Sequence, residues 1–539
     1  MQSVSLTSES LKDTCFWESN KIALPHFDMG AVADATASCP RWLHFGAGNI
    51  FRGFIARLSQ DLLNQGLTGE GVIAADTFDY EIIDRIYRPH DNLTLMVDLK
   101  PDGNVGYEVI GSITEAVKAD PSDSSEMERL REIARSSTLQ IISFTITEKG
   151  YALRDMSGAL LPVVTRDIEE GPSSSRHAMS IVCALLLERF RNGAAPLALA
   201  SMDNCSHNGE KLRSSILEIA KAWESRGFAE PEFITYIEDE SRVAFPWSMI
   251  DKITPRPDAS VQAMIEQMGI SDMAPITTSR GTFIAPFVNA EVPQYLVMED
   301  AFPNGRPPFE RAGVYMTDRQ TVNKSEKMKV TTCLNPLHTC LAVFGCLRGY
   351  TRISDEMKDP LLVSLITKMG YEEGLPVVTD PKILDPKEFI REVIVERLPN
   401  PYIPDAPQRI ATDTSQKMPI RFGETIKAYI ADPKLDVTSL NYIPLTIAGW
   451  LRYLLGVDDN GEPMELSSDP LLPSLQEQLR AIQFGNPDSV DGNLTDLLKN
   501  ESVFGADLVA CRLAPKIEFM LSEMLSGPGA VKRTLQKFI

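Results

Sequence analysis

An apolar strand that enters a helix through a glycine turn constrains this chain more than any other feature. Residues 42–45 read Trp-Leu-His-Phe, Gly46 and Gly48 follow, and apolar residues then recur at helical spacing from Phe51 to Leu62. Such a turn brings free backbone N–H groups and the positive end of the helix dipole to one point. This arrangement binds a pyrophosphate, so we predict a dinucleotide-binding α/β domain.

The glycine fingerprint is incomplete, because Phe51 occupies the position of its third glycine. A tight strand–helix turn without a ligand is therefore an alternative. Residues 71–76 read as the next strand and end in Asp76. An acid there can bind the adenosine ribose and repel a 2′-phosphate, which favours NAD over NADP. Asp76 follows Gly46 by thirty residues, more than the usual spacing of about 20, and it could also be a solvated strand-end acid.

The predicted cofactor contacts lie at the carboxyl ends of predicted strands, where open α/β sheets bind their ligands. A further strand, residues 139–147, ends at the beginning of a Thr-Glu pair. The cofactor-binding residues are thus predicted to be Gly46, Ala47, Gly48, Asn49, Ile50, Phe51, Asp76, Thr147 and Glu148.

Strands alternate with helices up to about residue 310, and long helical patterns dominate beyond it. This alternation predicts an α/β fold with a Rossmann-type, doubly wound and mostly parallel sheet, followed by a mostly α-helical C-terminal domain. We predict an N-terminal extension at 1–40, an NAD-binding domain at 41–310, and a substrate and catalytic domain at 311–539.

The net charge of −21 limits the possible partners. A surface that follows nucleic-acid phosphates would be basic, so no nucleic-acid partner is predicted. No run of eighteen apolar residues and no secretory pattern occurs, which predicts a cytoplasmic protein without a membrane partner. A small-molecule substrate and a monomer or small homo-oligomer are expected. An anionic substrate would need a local cationic pocket in this acidic protein.

The stretch 326–338 concentrates side chains suited to proton transfer. Asn335 before Pro336 is typical of a helix N-cap, and His338 follows in the first turn. A lysine, an amide and an imidazole brought together could reduce a carbonyl or oxidise an alcohol, provided that burial lets the lysine act as a base. Alternatively, these residues are a helix cap, a core histidine and solvated lysines.

A metal site is a further alternative, because Cys333, His338, Cys340 and Cys346 lie close together in the sequence. Their spacing matches no standard zinc pattern. No metal is therefore predicted.

Seven motifs in order resemble those of the polyol-specific long-chain dehydrogenases, the mannitol dehydrogenase family, which includes fructuronate and tagaturonate reductases. The motifs lie at residues 44–53, 145–151, 201–204, 245–255, 297–307, 326–338 and 413–421. The resemblance implies a metal-independent, NAD(P)-dependent oxidoreductase with a Rossmann-type domain and a helical C-terminal domain.

The resemblance also implies catalytic roles. Lys329 matches the catalytic lysine of the family, Asn204 and Asn335 its oxyanion-binding asparagines, and His338 its positioning histidine. The family's lysine usually precedes the asparagine by five residues, whereas Lys329 precedes Asn335 by six. The extra residue is expected in a bulge or loop before the helix, and Lys327 is the alternative acid/base.

Four further residues match positions near the family's site. Asp251 matches an aspartate beside it, and Glu326 resembles a glutamate that passes the proton to water. Lys417 and Arg421 fall where the family holds substrate oxygens.

The substrate is expected to be a sugar acid, because the segments 144–151 and 415–417 look more like those of uronate-reducing members. Lys417, Arg421 and Arg256 could also neutralise a carboxylate. The resemblance thus implies interconversion of D-mannonate and D-fructuronate. Oxidation of mannitol or another polyol, or reduction of tagaturonate, is the alternative, and a non-catalytic NAD-binding regulator is a remote one.

Overall fold

The computed structural model describes residues 3–539 and divides into two compact units, one through Asn323 and one from Lys324 to Ile539. The division falls within a helix, Arg319–Met328. All strands lie in the first unit, and the second is built of helices. The predicted fold class, a Rossmann-type α/β unit with a helical second unit, is confirmed.

Six parallel strands form the central sheet of the first unit. In chain order they are β1 Trp42–Phe45, β2 Val72–Asp76, β3 Ile113–Lys118, β4 Ile141–Phe144, β5 Leu197–Ser201 and β6 Val243–Ala244. Their spatial order is 3-2-1-4-5-6, the order of dinucleotide-binding sheets. The direction of winding reverses between β1 and β4, and ligands of such sheets bind at the strand ends there.

Both faces of this sheet are buried, as doubly wound sheets require. Along β1, Leu43 and Phe45 pack into one apolar cluster and Trp42 into another. Along β2, Ile73 belongs to the first cluster and Val72 to the second. This explains why the strands read as continuous apolar runs.

Helices flank the sheet and connect its strands. The α-helices and π-helical turns of the first unit are Thr14–Ser19, Met29–Ser38, Phe51–Ile55, Ala56–Asn64, Tyr80–Ile82, Ile83–Tyr87, Ser124–Arg135, Thr147–Tyr151, Pro162–Glu170, Ala178–Arg191, Asn208–Glu224, Pro231–Glu238 and Ala259–Gln267, and short 3-10 turns lie at Ser10–Lys12, Arg88–His90, Pro172–Ser174 and Phe309–Ala312.

Smaller sheets complete the first unit. A four-stranded sheet contains Phe287–Glu291, Thr94–Leu99, Val105–Ile110 and Ile22–Ala23; a three-stranded sheet contains Ser248–Asp251, Tyr295–Glu299 and Tyr315–Thr317; and two pairs join Val4–Ser5 to Ile270–Ser271 and Ile276–Thr277 to Phe283–Ile284.

The second unit is a set of packed helices. After the helix at the boundary its helical segments of four or more residues are Lys329–Cys333, Asn335–Leu347, Ile353–Glu356, Pro360–Lys368, Met369–Gly374, Pro386–Glu392, Val393–Arg397, Pro407–Ile410, Thr414–Met418, Pro419–Gly423, Glu424–Ala431, Tyr442–Tyr453, Leu472–Gln478, Pro487–Val490, Thr495–Leu498, Glu501–Phe504, Ala514–Met524 and Ala530–Phe538.

One helical stretch, Arg319–Leu347, is long and apolar enough to cross a membrane by length and composition. Its most apolar window is 78% buried inside the structure. Core helices of soluble proteins meet the same criterion, so this stretch is weak support for a membrane span.

Candidate active site

The glycine turn after β1 uses its two glycines for different reasons. Gly46 has a φ of +109°, and a Cβ atom there would lie 2.2 Å from the carbonyl oxygen of Thr145. The fold itself therefore requires this glycine. A Cβ atom on Gly48 would meet nothing within 4 Å. The fold leaves open space above Gly48, as close approach of a phosphate group to the backbone requires.

The residues after the turn are held from within the protein. The buried guanidinium of Arg52 donates to Asn49 Oδ1 and to the carbonyl of Ala285, each at 2.8 Å, and burial lowers the pKa of Arg52 to about 10. The Phe51 ring is fully buried and stacks on His44, with ring centroids 4.2 Å apart. The stacking of Phe51 on His44 and the hydrogen bond from Arg52 to Asn49 therefore hold the residues after the turn in place.

His44 joins β1 to β4 beneath the strand ends. Its Nδ1 lies 2.6 Å from Ser143 Oγ, and its Nε2 lies 2.8 Å from Thr145 Oγ1. Burial lowers the pKa of His44 well below its ordinary value, so the imidazole is neutral. The carbonyl of Thr145 faces Gly46, so the two contacts of the neutral His44 ring help to position the glycine turn.

Asp76 ends β2, as predicted, and its carboxylate binds backbone. Oδ2 accepts from Ala47 N at 3.0 Å, and Oδ1 accepts from Phe78 N at 2.7 Å and Asp79 N at 2.8 Å. Burial raises the pKa of Asp76, and these three bonds oppose the rise. The carboxylate therefore ties the glycine turn to the following loop, while Oδ2 retains a lone pair for a further donor.

The loop after β4 is held by Asp203, which lies just beyond the end of β5. Its carboxylate accepts from the backbone N–H groups of Ile146 and Thr147 at 2.9 and 3.0 Å and from the Tyr151 hydroxyl at 2.6 Å. Thr147 has a φ of +65°, a left-handed conformation that these bonds stabilise. The side chain of Glu148 is exposed and forms an ion pair with Lys211.

A π-helical turn, Lys329–Cys333, begins at the predicted catalytic lysine. Its bond from the Leu334 N–H to the Lys329 carbonyl, 3.2 Å long, spans five residues instead of the four of an α-helix. The extra residue between Lys329 and Asn335 is accommodated in this turn. Such insertions occur frequently at functional sites.

The two lysines considered as the acid/base, Lys329 and Lys327, differ in burial. Lys329 is 2% exposed, whereas the Lys327 side chain is 51% exposed and lies 3.8 Å from Glu424. Lys329 therefore meets the burial condition for a base, and Lys327 does not.

The next helix begins at Asn335, one residue earlier than predicted. The cap position belongs to Leu334, and no side chain caps this helix start, so the expected capping role of Asn335 is wrong. The side-chain amide of Asn335 therefore forms no capping hydrogen bond.

His338 has an acidic partner that sequence reasoning missed. Its Nε2 lies 2.8 Å from Oδ2 of Asp405, whose other carboxylate oxygen pairs with Arg409. Burial alone would raise the pKa of Asp405, but His338 and Arg409 together hold it below the ordinary value. Asp405 lies 67 residues after His338 in the sequence, so no local pattern could join them.

Two cations lie near the start of the same helix. Arg421 donates to Thr339 Oγ1, and Thr339 in turn donates to the carbonyl of Asn335 at 3.0 Å. Lys417 donates to the carbonyls of Ile410 and Thr412. Burial, and then the charge of Arg421, lower the pKa of Lys417 to about 8, and burial lowers that of Arg421 to about 10.

The other predicted residues differ in exposure. Asn204 is exposed, Glu326 is half-buried, and Asp251 is buried at the end of the strand Ser248–Asp251. Each of them, like Lys329, has a polar or electrostatic partner in the structure.

The thiols considered as metal ligands are buried. Burial raises the pKa of Cys333, and it raises those of Cys340 and Cys346 to about 12. Among residues 3–539, no group of three or more His, Cys, Asp or Glu side chains is arranged to hold a metal ion.

Comparison with known proteins assigns both units to one family. Residues 40–307 match the sequence model described as the mannitol dehydrogenase Rossmann domain, and residues 321–524 match that of the mannitol dehydrogenase C-terminal domain.

Individual relatives agree with this assignment. The chain is 52% identical over 536 residues to D-mannonate oxidoreductase of Thermotoga maritima, covering 99% of each chain. It is 30% identical over 444 residues to mannitol dehydrogenase 2 of Saccharomyces cerevisiae, covering 80% of this chain and 81% of the relative. The structure of Pseudomonas fluorescens mannitol 2-dehydrogenase in complex with NAD and D-mannitol matches with a TM-score of 0.68, 26% identity and 99% coverage of each chain. The chain therefore belongs to the mannitol dehydrogenase family of oxidoreductases.

Proposed function

We propose that this protein is an NAD-dependent oxidoreductase that interconverts D-mannonate and D-fructuronate. The relative with 52% identity bears the name D-mannonate oxidoreductase, and the solved relative from Pseudomonas fluorescens holds NAD. The strand order, the open space above Gly48 and the acid that ends β2 fit a dinucleotide.

The observation that carries the sugar-acid proposal is the pair of partly buried cations, Lys417 and Arg421. Within residues 3–539 neither of them forms an ion pair shorter than 4.0 Å with a carboxylate, and Asp413 and Asp469 act on Lys417 only from a longer distance. Lys417 has three N–H donors and uses two, and Arg421 has five and uses one on Thr339. The remaining donors can bind the carboxylate of a sugar acid.

Each side chain has a defined part in the proposed reaction. In the oxidation of D-mannonate, Lys329 accepts the proton of the secondary alcohol as the carbon loses hydride, and in the reverse direction it donates that proton. Asn204 and Asn335 donate to the developing oxyanion. Bound NAD supplies the hydride acceptor.

Further side chains support this reaction. His338, held by Asp405, orients the substrate. Glu326 passes the proton from Lys329 to water, and Asp251 assists near the reacting group. We expect the protein to act in the cytoplasm, on a small molecule alone.

The substrate is tested by following the absorbance of NADH with purified protein and D-fructuronate, D-tagaturonate or D-fructose. We expect rapid oxidation with D-fructuronate and an at least about tenfold lower kcat/KM with D-fructose, which lacks the carboxylate, because a lost charge-assisted contact costs roughly 1.4 kcal/mol or more. D-Tagaturonate keeps the carboxylate and differs only in stereochemistry, so its rate reports the stereochemical preference and not the charge contact. Faster turnover of D-fructose would contradict the sugar-acid proposal.

A polyol such as mannitol is the second candidate, since the Saccharomyces cerevisiae and Pseudomonas fluorescens relatives bear mannitol dehydrogenase names. An uncharged polyol would offer no carboxylate to the remaining N–H donors of Lys417 and Arg421. A non-catalytic NAD-binding protein would bind NADH and turn over none of these substrates.

Substitution of the two turn glycines tests the cofactor site. Gly46→Ala should lower the melting temperature, because a residue other than glycine at this φ costs about 1–3 kcal/mol before the contact with Thr145 is counted. Gly48→Ala should leave the melting temperature unchanged and weaken NADH binding about tenfold, since its methyl group fills the open space. Scanning calorimetry and NADH fluorescence titration measure the two effects, and unaltered NADH affinity in Gly48→Ala would contradict the proposed phosphate position.

A further inference from the structure

Phe78 is a large apolar side chain that remains 62% exposed at the end of β2. It follows Asp76 by two residues, and its backbone N–H donates to Asp76 Oδ1 at 2.7 Å. Its backbone is therefore fixed relative to the strand end. Isolated exposed apolar residues are common, so its significance depends on what surrounds it.

Arg280 lies over the Phe78 ring, with its guanidinium carbon 5.4 Å from the ring centroid. It belongs to the turn between the paired strands Ile276–Thr277 and Phe283–Ile284. Gly281 in this turn has a φ of +83°, and its N–H donates to the Thr278 carbonyl at 3.0 Å. The turn thus presents Arg280 from a defined backbone.

Two hydrogen bonds attach this turn to the loop that follows Asp76. The Thr278 hydroxyl donates to Asp79 Oδ2 at 2.6 Å, and the Ser279 N–H donates to Glu81 Oε1 at 2.9 Å. The contact between Arg280 and Phe78 is therefore built by segments nearly 200 residues apart in the sequence.

We propose that Phe78 and Arg280 form the binding site for the adenine ring of the dinucleotide. Arg280 covers one face of the phenyl ring and holds it by a cation–π contact, and adenine stacks on the face left open. The ribose joined to this adenine would lie at Asp76, two residues before Phe78. The inference rests on the proposed use of NAD and adds the residues that hold its base.

The acidic side chains near Phe78 favour an uncharged ring at this site over a further phosphate group, such as a 2′-phosphate. Asp76, Asp79 and Glu81 all lie within three residues of Phe78 in the sequence. Hydrogen bonds from Ser279, followed by Arg85, lower the pKa of Glu81 to about 2, so this acid is ionised. An uncharged, planar base avoids repulsion from these acids and gains stacking energy from any aromatic face.

Binding of ADP-ribose to the full-length protein, measured by calorimetry, tests the proposal without turnover. Phe78→Ala should weaken the Kd about tenfold or more, the range observed when a base loses its aromatic partner. Phe78→Tyr should bind as the unaltered protein does, and Arg280→Gln should weaken the Kd about two- to fivefold. Met156→Ala, at a fully exposed residue of the same unit, is the matched control and should change nothing.

The nicotinamide end gives a second readout. Reduced nicotinamide mononucleotide lacks adenine, so its KM should be equal in Phe78→Ala and the unaltered protein. An unchanged ADP-ribose Kd in Phe78→Ala, or no binding of ADP-ribose to the unaltered protein, would overturn the adenine site. Tight ADP-ribose binding that depends on Phe78, without D-fructuronate turnover, would instead refute the proposed substrate and support the adenine site.

Discussion

Replacing Lys329 with alanine should reduce the turnover of D-fructuronate about a thousandfold, within the range that a positioned acid/base contributes. The proposed proton donor is lost, while the predicted cofactor contacts lie in the first unit and remain. Steady-state NADH oxidation measures the first effect. Fluorescence titration should give an unchanged NADH Kd.

Lys327→Ala is the matched control for this prediction. Its side chain is half exposed and its 3.8 Å ion pair with Glu424 is weak, so turnover should change by about twofold at most. Added methylamine should restore part of the turnover of Lys329→Ala, because a free amine can replace the missing proton donor; a merely structural lysine would show no such restoration. A severe loss in Lys327→Ala with an active Lys329→Ala would reverse the assignment.

Charge reversal at Lys417 should separate sugar acids from polyols. Lys417→Glu should lower kcat/KM for D-fructuronate by about a hundredfold, because the loss of one partner of a buried charge pair costs several kcal/mol. D-Fructose carries no carboxylate, so any activity toward it should fall far less. Lys417→Gln removes the charge without reversing it and should give an intermediate loss. Equal losses for both substrates would refute the carboxylate role.

The pH dependence of the KM for D-fructuronate independently tests the role of the Lys417 charge. Burial and the neighbouring Arg421 lower the pKa of Lys417 to about 8, so the ammonium is present below that pH and is lost above it. The KM for D-fructuronate should therefore rise between pH 7 and pH 9. Lys417→Arg should abolish the rise, because a guanidinium stays protonated over this interval. A rise that persists in Lys417→Arg would come from another group.

The strands of the first unit are predictable where local pattern and tertiary structure agree. The strand Trp42–Phe45 has the predicted bounds, because it is a short apolar run that glycine ends. The predicted strand at 139–147 is longer than the observed Ile141–Phe144. After Phe144 the chain turns through a left-handed Thr147 held by Asp203, and nothing in the local sequence signals that contact.

In the candidate site, too, locally encoded features are predictable and contacts made by folding are not. The position of Asp76 at a strand end is predictable from the sequence, and two of its backbone partners, Phe78 and Asp79, follow it closely; the third, Ala47, lies 29 residues earlier and comes close only in the folded chain. His338 is recognisable by its motif, whereas its partner Asp405 lies 67 residues further along the chain. A sequence motif cannot show which distant segments of the chain come into contact.

The π-helical turn Lys329–Cys333 has a consequence for how related chains are aligned. One residue added to a regular α-helix rotates everything after it by about 100°, which would move the side chains of Asn335–Leu347, a helix buried on nearly all sides, out of their packing positions. The π-helical turn takes up the extra residue within five residues, so the helix Asn335–Leu347 keeps its buried packing positions. A one-residue change in length is thus tolerated beside the proposed catalytic lysine. A sequence search that demands a constant interval between the lysine and the asparagine would overlook this chain.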